Sequence, residues 1–235
     1  MIGSTLFITG ISSGLGEDIM RLAVRDGMRV TGVLRSSKER DRLAEEFGDK
    51  IEIIKTDLSD RDRVLELCAN LRERRFDYIC LNAASGLTGR FHELDEESVD
   101  ELIDANLWAN MRLVRALLPR ALEIRSKIVL VSSLISELTR DDCTTYAVTK
   151  AGLSKFYRCL HKEYPQLPLV CAEIGPVDTP IHKKSGGADT PKNPFIYKNC
   201  HTIARRIYKA MLQDEGLKTL SWDWALLRMF ARLTG

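Results

Sequence analysis

Residues 5–24 read TLFITGISSGLGEDIMRLAV, a short apolar run followed by a glycine-rich turn and a stretch with helical periodicity. The apolar run is too short for a buried helix and rich in β-forming side chains, so it predicts a buried strand. Gly10, Gly14 and Gly16 let the backbone turn tightly, and the positive end of the next helix dipole faces the same place. This order of elements indicates a phosphate-binding turn.

The same alternation continues along the rest of the chain. Further apolar runs begin near residues 29, 51, 77, 127 and 167, and charged stretches with helical periodicity separate them; LKTLSW is a candidate for the last strand. Strands that are apolar on both faces and alternate with helices predict a mainly parallel sheet covered on both sides. We therefore expect an α/β protein with a Rossmann-type, doubly wound parallel sheet, formed as a single domain by residues 1–235.

Three local features predict boundaries within this pattern. Ser59 precedes a helical run and is a candidate N-cap, whereas Pro119 is expected to kink or end the long helix that contains it. The stretch 181–201 contains two glycines and two prolines and has no clear periodicity. Long unpatterned loops in compact domains often cover a site, so we interpret this stretch as a substrate lid.

Composition narrows the class of protein. The 235 residues carry 35 basic and 33 acidic side chains, so the net charge of +2 gives no strong footprint for nucleic acid. Six cysteines without CxxC spacing favour reduced thiols, and four histidines lack metal-like spacing. The reduced thiols favour a cytoplasmic location, and the histidine spacing predicts no metal. Without a signal segment or an apolar run of about 18 residues, we expect a protein that is soluble or at most membrane-associated.

The end of the second predicted strand addresses cofactor choice. The sequence there is VLRSS, with apolar Leu34 where an acid would accept hydrogen bonds from a ribose, followed by Arg35 and Ser36. A guanidinium can grip a 2′-phosphate and the serine hydroxyl can add a donor. This arrangement favours NADP(H) over NAD(H); the alternative is that Arg35 is only a surface charge.

Further motifs stand at the ends of the later predicted strands: TDLSD at 56–60, NAAS at 82–85 and SS at 132–133. The next helical stretch contains YAVTK at 146–150. Asn106, Ser133, Tyr146 and Lys150 stand 27, 13 and 4 residues apart. With these motifs and TGISSGLG, residues 4–180 resemble the single-domain form of the short-chain dehydrogenase/reductase family. The resemblance implies an oxidoreductase that transfers a hydride between nicotinamide and a carbonyl/alcohol substrate.

The resemblance implies that these four residues are catalytic, and their chemistry agrees. Tyr146 would be the general acid/base, and Lys150, one helical turn away, is expected to favour its phenolate. Ser133, at the carboxyl end of a strand, would orient the carbonyl and donate to its oxygen. Asn106 is expected to anchor a water of the proton relay; the alternative is a buried amide that satisfies backbone within its own helical stretch, DANLWANMRLV.

The resemblance also implies the cofactor contacts, with Leu81, Ala84 and Ile174 departing from the family's usual Asn, Gly and Pro. The implied residues are Gly10, Ser12, Ser13, Gly14, Leu15, Gly16, Arg35, Ser36, Asp57, Leu58, Asn82, Ala83, Ala84, Tyr146, Lys150, Gly175, Val177 and Thr179.

Beyond residue 180 the resemblance thins, and the ending 222–235 predicts a short apolar helix rich in Trp and Arg. It could pack on its own domain, in a subunit interface or on a membrane surface, the last being less favoured. Family members usually pair through their long helices, so a homodimer or homotetramer is expected. Two other functions stay open: a catalytically silent nucleotide-sensing protein, and a membrane-surface reductase of lipid ketones.

Overall fold

The computed structural model describes residues 2–138, 141–178, 197–213 and 215–220. The strands are β1 Thr5–Thr9, β2 Arg29–Leu34, β3 Ile51–Lys55, β4 Tyr78–Leu81, β5 Lys127–Ser133, β6 Leu169–Ile174, β7 Val177–Asp178, β8 Lys198–Asn199 and β9 Gly216–Thr219. The α-helices are α1 Gly14–Arg25, α2 Ser37–Phe47, α3 Arg61–Leu71, α4 Glu96–Ile103, α5 Ala109–Ile124, α6 Thr144–Glu163 and α7 Cys200–Gln213. Single turns of 3₁₀-helix lie at Gly48–Lys50, Phe91–Glu93 and Leu134–Ser136, and a π-helical turn at Asp104–Trp108 joins α4 to α5.

Seven strands form one parallel sheet in the order β3-β2-β1-β4-β5-β6-β9. From β1 the chain moves outward through β2 and β3, then returns to β4 on the other side of β1. The carboxyl ends of β1 and β4 therefore border the switch point, where doubly wound sheets bind their ligands. The predicted fold class is confirmed, and each apolar run named from the sequence contributes a strand.

Two hydrophobic cores cover the two faces of the sheet. One contains buried side chains of α1, α2 and α7, and the other contains those of α3, α5 and α6. Burial on both faces explains why the strands are continuously apolar rather than alternating. Both helix layers thus hold the carboxyl edge of the sheet in place.

Three boundary predictions need correction. The N-cap of α3 is Asp60, whose carboxylate accepts from the Arg63 amide at 3.1 Å, while the Ser59 hydroxyl bonds to Asp57 instead. Pro119 lies inside α5 without ending it, because α5 continues to Ile124. Residues 198–201 of the predicted lid form β8 and the start of α7. The rest of that lid up to residue 196, and the predicted helix 222–235, lie outside the described residues.

Candidate active site

The glycine turn packs tightly against the segment that follows β4. Gly10 has a φ of 80°, and a Cβ there would come within 2.9 Å of the Ala83 Cα. A Cβ on Gly16 would stand 2.1 Å from the Gly10 carbonyl oxygen. Side chains at these positions would therefore break the turn, because contacts of this length do not occur between unbonded atoms.

The amino end of α1 is open to an anion. Its N-cap residue, Ser13, makes no side-chain capping bond, so the first N–H groups of this helix have no side-chain cap. The acidic residue in the first turn, Glu17, forms salt bridges with Arg21 at 2.7 Å and with Arg42 at 3.0 Å. Uncapped amides and the helix dipole suit a phosphate, and the glycines leave room for it. A dinucleotide pyrophosphate thus fits the residues present.

Thr9 and Asn82 tie the turn to the switch point. The buried Thr9 hydroxyl accepts from the backbone amides of Asn82 and Ala83, both at 3.1 Å. The Asn82 side-chain amide donates to the Thr9 carbonyl at 3.1 Å. These bonds hold the ends of β1 and β4 at fixed separation. Thr9 was missing from the predicted site, although its position at the end of the first strand was readable.

Arg35 directly follows the carboxyl end of β2. Its side chain is 66% exposed and stands 3.4 Å from the carboxylate of Asp57. Asp57 also accepts from the Ser59 amide and hydroxyl, which fix its orientation. The Ser36 hydroxyl accepts from the Glu39 amide as the N-cap of α2. The guanidinium is thus held loosely, at a surface that solvent and a ligand can reach.

Ser133 and Tyr146 meet at the carboxyl end of β5. The Ser133 hydroxyl donates to the Ile174 carbonyl and accepts from the Ile135 amide, both at 3.3 Å, and it also bonds to the Tyr146 hydroxyl. Desolvation raises the pKa of Tyr146 to about 12, the Ser133 bond opposes this rise, and Cys143 adds to it. The phenol is therefore protonated at neutral pH.

Lys150 is one turn further along α6 and is 3% exposed. Its ammonium donates to the Val131 carbonyl at 3.1 Å and lies 5.8 Å from the centre of the Tyr146 ring. Desolvation lowers the pKa of Lys150 to about 8. The expected shift of Tyr146 toward the phenolate is not seen, since burial dominates and the ammonium is directed at a backbone carbonyl.

Asn106 lies in the π-helical turn between α4 and α5 and is completely buried. Its amide oxygen accepts from the Ser85 N–H at 2.7 Å, and its amide nitrogen donates to the Ser85 carbonyl at 2.9 Å and to the Thr149 hydroxyl at 3.3 Å. Thr149 in turn donates to the Tyr146 carbonyl at 2.8 Å. The Asn106 carbonyl accepts from the Asn110 amide at 2.8 Å. The Asn106 side chain thus bonds to the backbone of Ser85, after β4, rather than to the backbone of its own helix.

The remaining residues predicted to contact the cofactor lie in several different segments. Leu58 and Val177 are buried in the two cores, so their side chains pack against the protein. Ser12 and Leu15 belong to the glycine turn, while Ala84 and Gly175 follow β4 and β6. Thr179 lies outside the described residues.

Within the described ranges, no group of three or more His, Cys, Asp or Glu side chains is arranged to hold a metal ion. Over the same residues, no helix is both long enough and apolar enough to cross a membrane.

A doubly wound parallel sheet with a glycine turn at its switch point defines the Rossmann-type class of nucleotide-binding folds. Sequence comparison narrows the class. A family model described as short chain dehydrogenase matches residues 4–189. Oxidoreductase UcpA of Salmonella typhimurium is 30% identical over 203 residues, covering 83% of this chain and 77% of that protein. The chain belongs to the short-chain dehydrogenase/reductase family, which is a family of oxidoreductases.

Solved structures show the same fold. A short-chain dehydrogenase from Streptomyces avermitilis has a TM-score of 0.81 at 26% identity, with 99% of this chain and 93% of that chain covered. One from Sphingobium yanoikuyae, solved in complex with NADPH, has a TM-score of 0.83 at 24% identity, with 98% and 95% covered.

Proposed function

We propose that the protein is an NADP(H)-dependent oxidoreductase that transfers a hydride between nicotinamide and a carbonyl/alcohol substrate. The observation that carries this proposal is the buried Tyr146 phenol, bonded to Ser133 at the carboxyl end of β5. A pure nucleotide sensor has no use for a buried phenol and ammonium at that place. Their desolvation costs stability, which favours a catalytic role.

The cofactor is proposed from the chain's own residues. The glycine turn and the uncapped start of α1 would hold the pyrophosphate, and Arg35 would pair with a 2′-phosphate. Two structural neighbours, from Sphingobium yanoikuyae and Thermococcus sibiricus, were solved with NADPH and with 5-hydroxy-NADP. When bound, the cofactor supplies or receives the hydride.

The residues of the site then supply proton transfer and orientation. Ser133 orients the substrate oxygen by a hydrogen bond, which strengthens as negative charge develops there. Tyr146 donates its phenolic proton to that oxygen during reduction and takes it back during oxidation. A phenol that stays protonated at neutral pH suits the reductive direction. Lys150, desolvated and mostly protonated, places positive charge beside the phenolate that forms.

For Asn106 the buried contacts support a positioning role. Its side chain fixes Ser85 in the segment after β4 and reaches the Tyr146 turn through Thr149. We therefore propose that Asn106 aligns the wall of the crevice with the catalytic turn. That Asn106 anchors a water of the proton relay stays a prediction beside this role.

Two further parts of the proposal concern the surroundings of the site. Residues 181–201 would contribute to substrate binding, with β7 and β8 pairing at the two ends of that stretch. A homodimer through α5 and α6 is proposed because Met111 and Val148 are exposed apolar side chains on these helices. Sedimentation showing only monomers would contradict the dimer.

Calorimetry with NADPH and NADH tests the cofactor proposal. Wild type is expected to bind NADPH at least about tenfold more tightly, and Arg35→Leu to lose that preference. Arg29→Leu is the matched control, because Arg29 is an exposed arginine at the opposite end of β2. Equal affinities of the wild type for both cofactors would refute the Arg35 argument. Tight NADPH binding without turnover of any ketone or aldehyde would favour a nucleotide sensor.

A further inference from the structure

A buried row of polar side chains lies beneath the catalytic helix, apart from the groups that would touch a substrate. Glu173 on β6 is 0% exposed, and its register partner on β5 is Ser132. Ser154 of α6 stands between them, with its hydroxyl 3.3 Å from the Glu173 carboxyl and 2.8 Å from the Ser132 hydroxyl. Ser132 also lies 3.1 Å from the Lys150 carbonyl. The row therefore runs from the sheet to the turn that carries Lys150.

The hydrogens along this row can be counted. It contains three oxygen-to-oxygen contacts, and each needs one proton to be a hydrogen bond. The two serine hydroxyls supply one proton each, and the Lys150 carbonyl can only accept. The third proton can come from the other end of the row, the carboxyl group of Glu173.

We propose that Glu173 is a neutral carboxylic acid in the folded protein and heads a chain of donors, Glu173 to Ser154 to Ser132 to the Lys150 carbonyl. In this chain Glu173 is a positioning residue, and it fixes the Lys150 turn of α6 against β5 and β6. Its importance for catalysis rests on the proposed function of Lys150.

Ionisable groups face this region from several elements. On β6 itself, the Cys171 Sγ lies 4.0 Å from the Ser154 hydroxyl, and burial raises the pKa of Cys171 to about 12, so it is a neutral thiol. From α6, Lys150 donates to Val131, and Arg158 pairs with Glu137 at 2.8 Å.

The remaining neighbours come from α6 and the adjacent strand. Tyr157 of α6 is buried and interacts electrostatically with Cys171. On β9, Thr219 is the register partner of Glu173, while Lys218 is the partner of Ala172. Alternation along the strand places Lys218 on the opposite face of the sheet from Glu173.

Glu173→Gln provides the decisive variant, because an amide N–H can replace the acid proton toward Ser154 without titrating. An unfolded chain releases the Glu173 proton above about pH 4.3, so a folded protein that keeps it loses stability as pH rises. Denaturant unfolding of wild type and Glu173→Gln between about pH 6 and about pH 8 measures this directly. The unfolding constant of wild type relative to the variant is expected to rise by up to about tenfold per pH unit.

Infrared difference spectra of folded wild type minus Glu173→Gln give a second readout, namely the carbonyl stretch of a protonated carboxylic acid. Glu173→Leu, which cannot donate to Ser154, is expected to lower kcat about tenfold, with less change in the KM for cofactor. A flat ratio of unfolding constants together with no acid band would overturn the proposal. Neither measurement needs turnover, so an inactive wild type would refute the proposed function and leave the Glu173 result standing.

Discussion

Replacing Lys150 by Met is predicted to stabilise the protein while removing its activity. The Lys150 ammonium is buried at 3% exposure, and desolvation lowers its pKa from 10.5 to about 8. The folded state therefore holds a charged group that the unfolded chain would keep hydrated. Methionine has a similar length and carries no charge, so it fits the same space without this cost.

The magnitude follows from that pKa difference. At about 1.4 kcal/mol per pH unit, burial of the charge costs roughly 3 kcal/mol while both states are protonated. Loss of the bond from Lys150 to the Val131 carbonyl removes about 1 kcal/mol of stabilisation. The net gain of about 2 kcal/mol corresponds to a rise in Tm of about 4–8 °C for a chain of this size.

The sign of the pH dependence is fixed by the same difference. Below about pH 8 both the folded and unfolded chains carry the proton, so the variant has its full advantage. Between about pH 8 and about pH 10.5 the folded wild type releases the proton first, so the charge penalty disappears. Above that range only the lost Val131 bond remains, and the variant is expected to be about 1 kcal/mol less stable than wild type.

Thermal unfolding at neutral and alkaline pH measures both effects. The matched control is Lys155→Met on the same helix, where the lysine is exposed and the Tm should change by about 2 °C at most. An unchanged or lower Tm for Lys150→Met at neutral pH would refute the idea of a desolvated ammonium.

The remaining predictions concern the hydroxyls around Tyr146. Ser133→Ala removes the bond that lowers the pKa of Tyr146, so a tyrosine absorbance titration should show the phenolate forming at still higher pH. The same variant should lower kcat about 100-fold, and an unchanged titration and rate would contradict the role of Ser133. Thr149→Val leaves a buried amide hydrogen of Asn106 without its acceptor and should cost about 1–3 kcal/mol in unfolding free energy. Thr149→Ser should restore most of that loss, and a Val variant as stable as wild type would argue against the bridge.

Much of the fold was predictable from local sequence because the deciding signals are local. The glycines of the first turn, the apolar strand runs and the charged helical stretches each specify their element without distant contacts. The wrong N-cap prediction arose because two neighbouring residues could both cap the helix. Asp60 rather than Ser59 caps α3, because Ser59 bonds back to Asp57.

The electrostatics of the candidate site could not be read in the same way. Spacing predicted that Tyr146 and Lys150 share a helix face, but their pKa shifts depend on how much protein surrounds each group. Asn106 bonds to Ser85, 21 residues earlier in the chain, and Glu173 contacts Ser154, 19 residues earlier. Only the folded chain identifies such partners. Sequence spacing predicted which residues share the candidate site, whereas the direction of their pKa shifts follows from burial in the folded chain.

The most direct test of the proposed catalytic role is the rate of hydride transfer from NADPH in the Tyr146→Phe variant. The rate is measured as the loss of NADPH absorbance with the best ketone or aldehyde substrate from a screen. Tyr157→Phe is the control, because Tyr157 is a buried tyrosine on the same helix that lies outside the proposed site. Tyr146→Phe is expected to bind NADPH normally and to transfer hydride at least about 100-fold more slowly, while Tyr157→Phe stays near the wild-type rate. Hydride transfer by Tyr146→Phe at the wild-type rate would contradict the central claim.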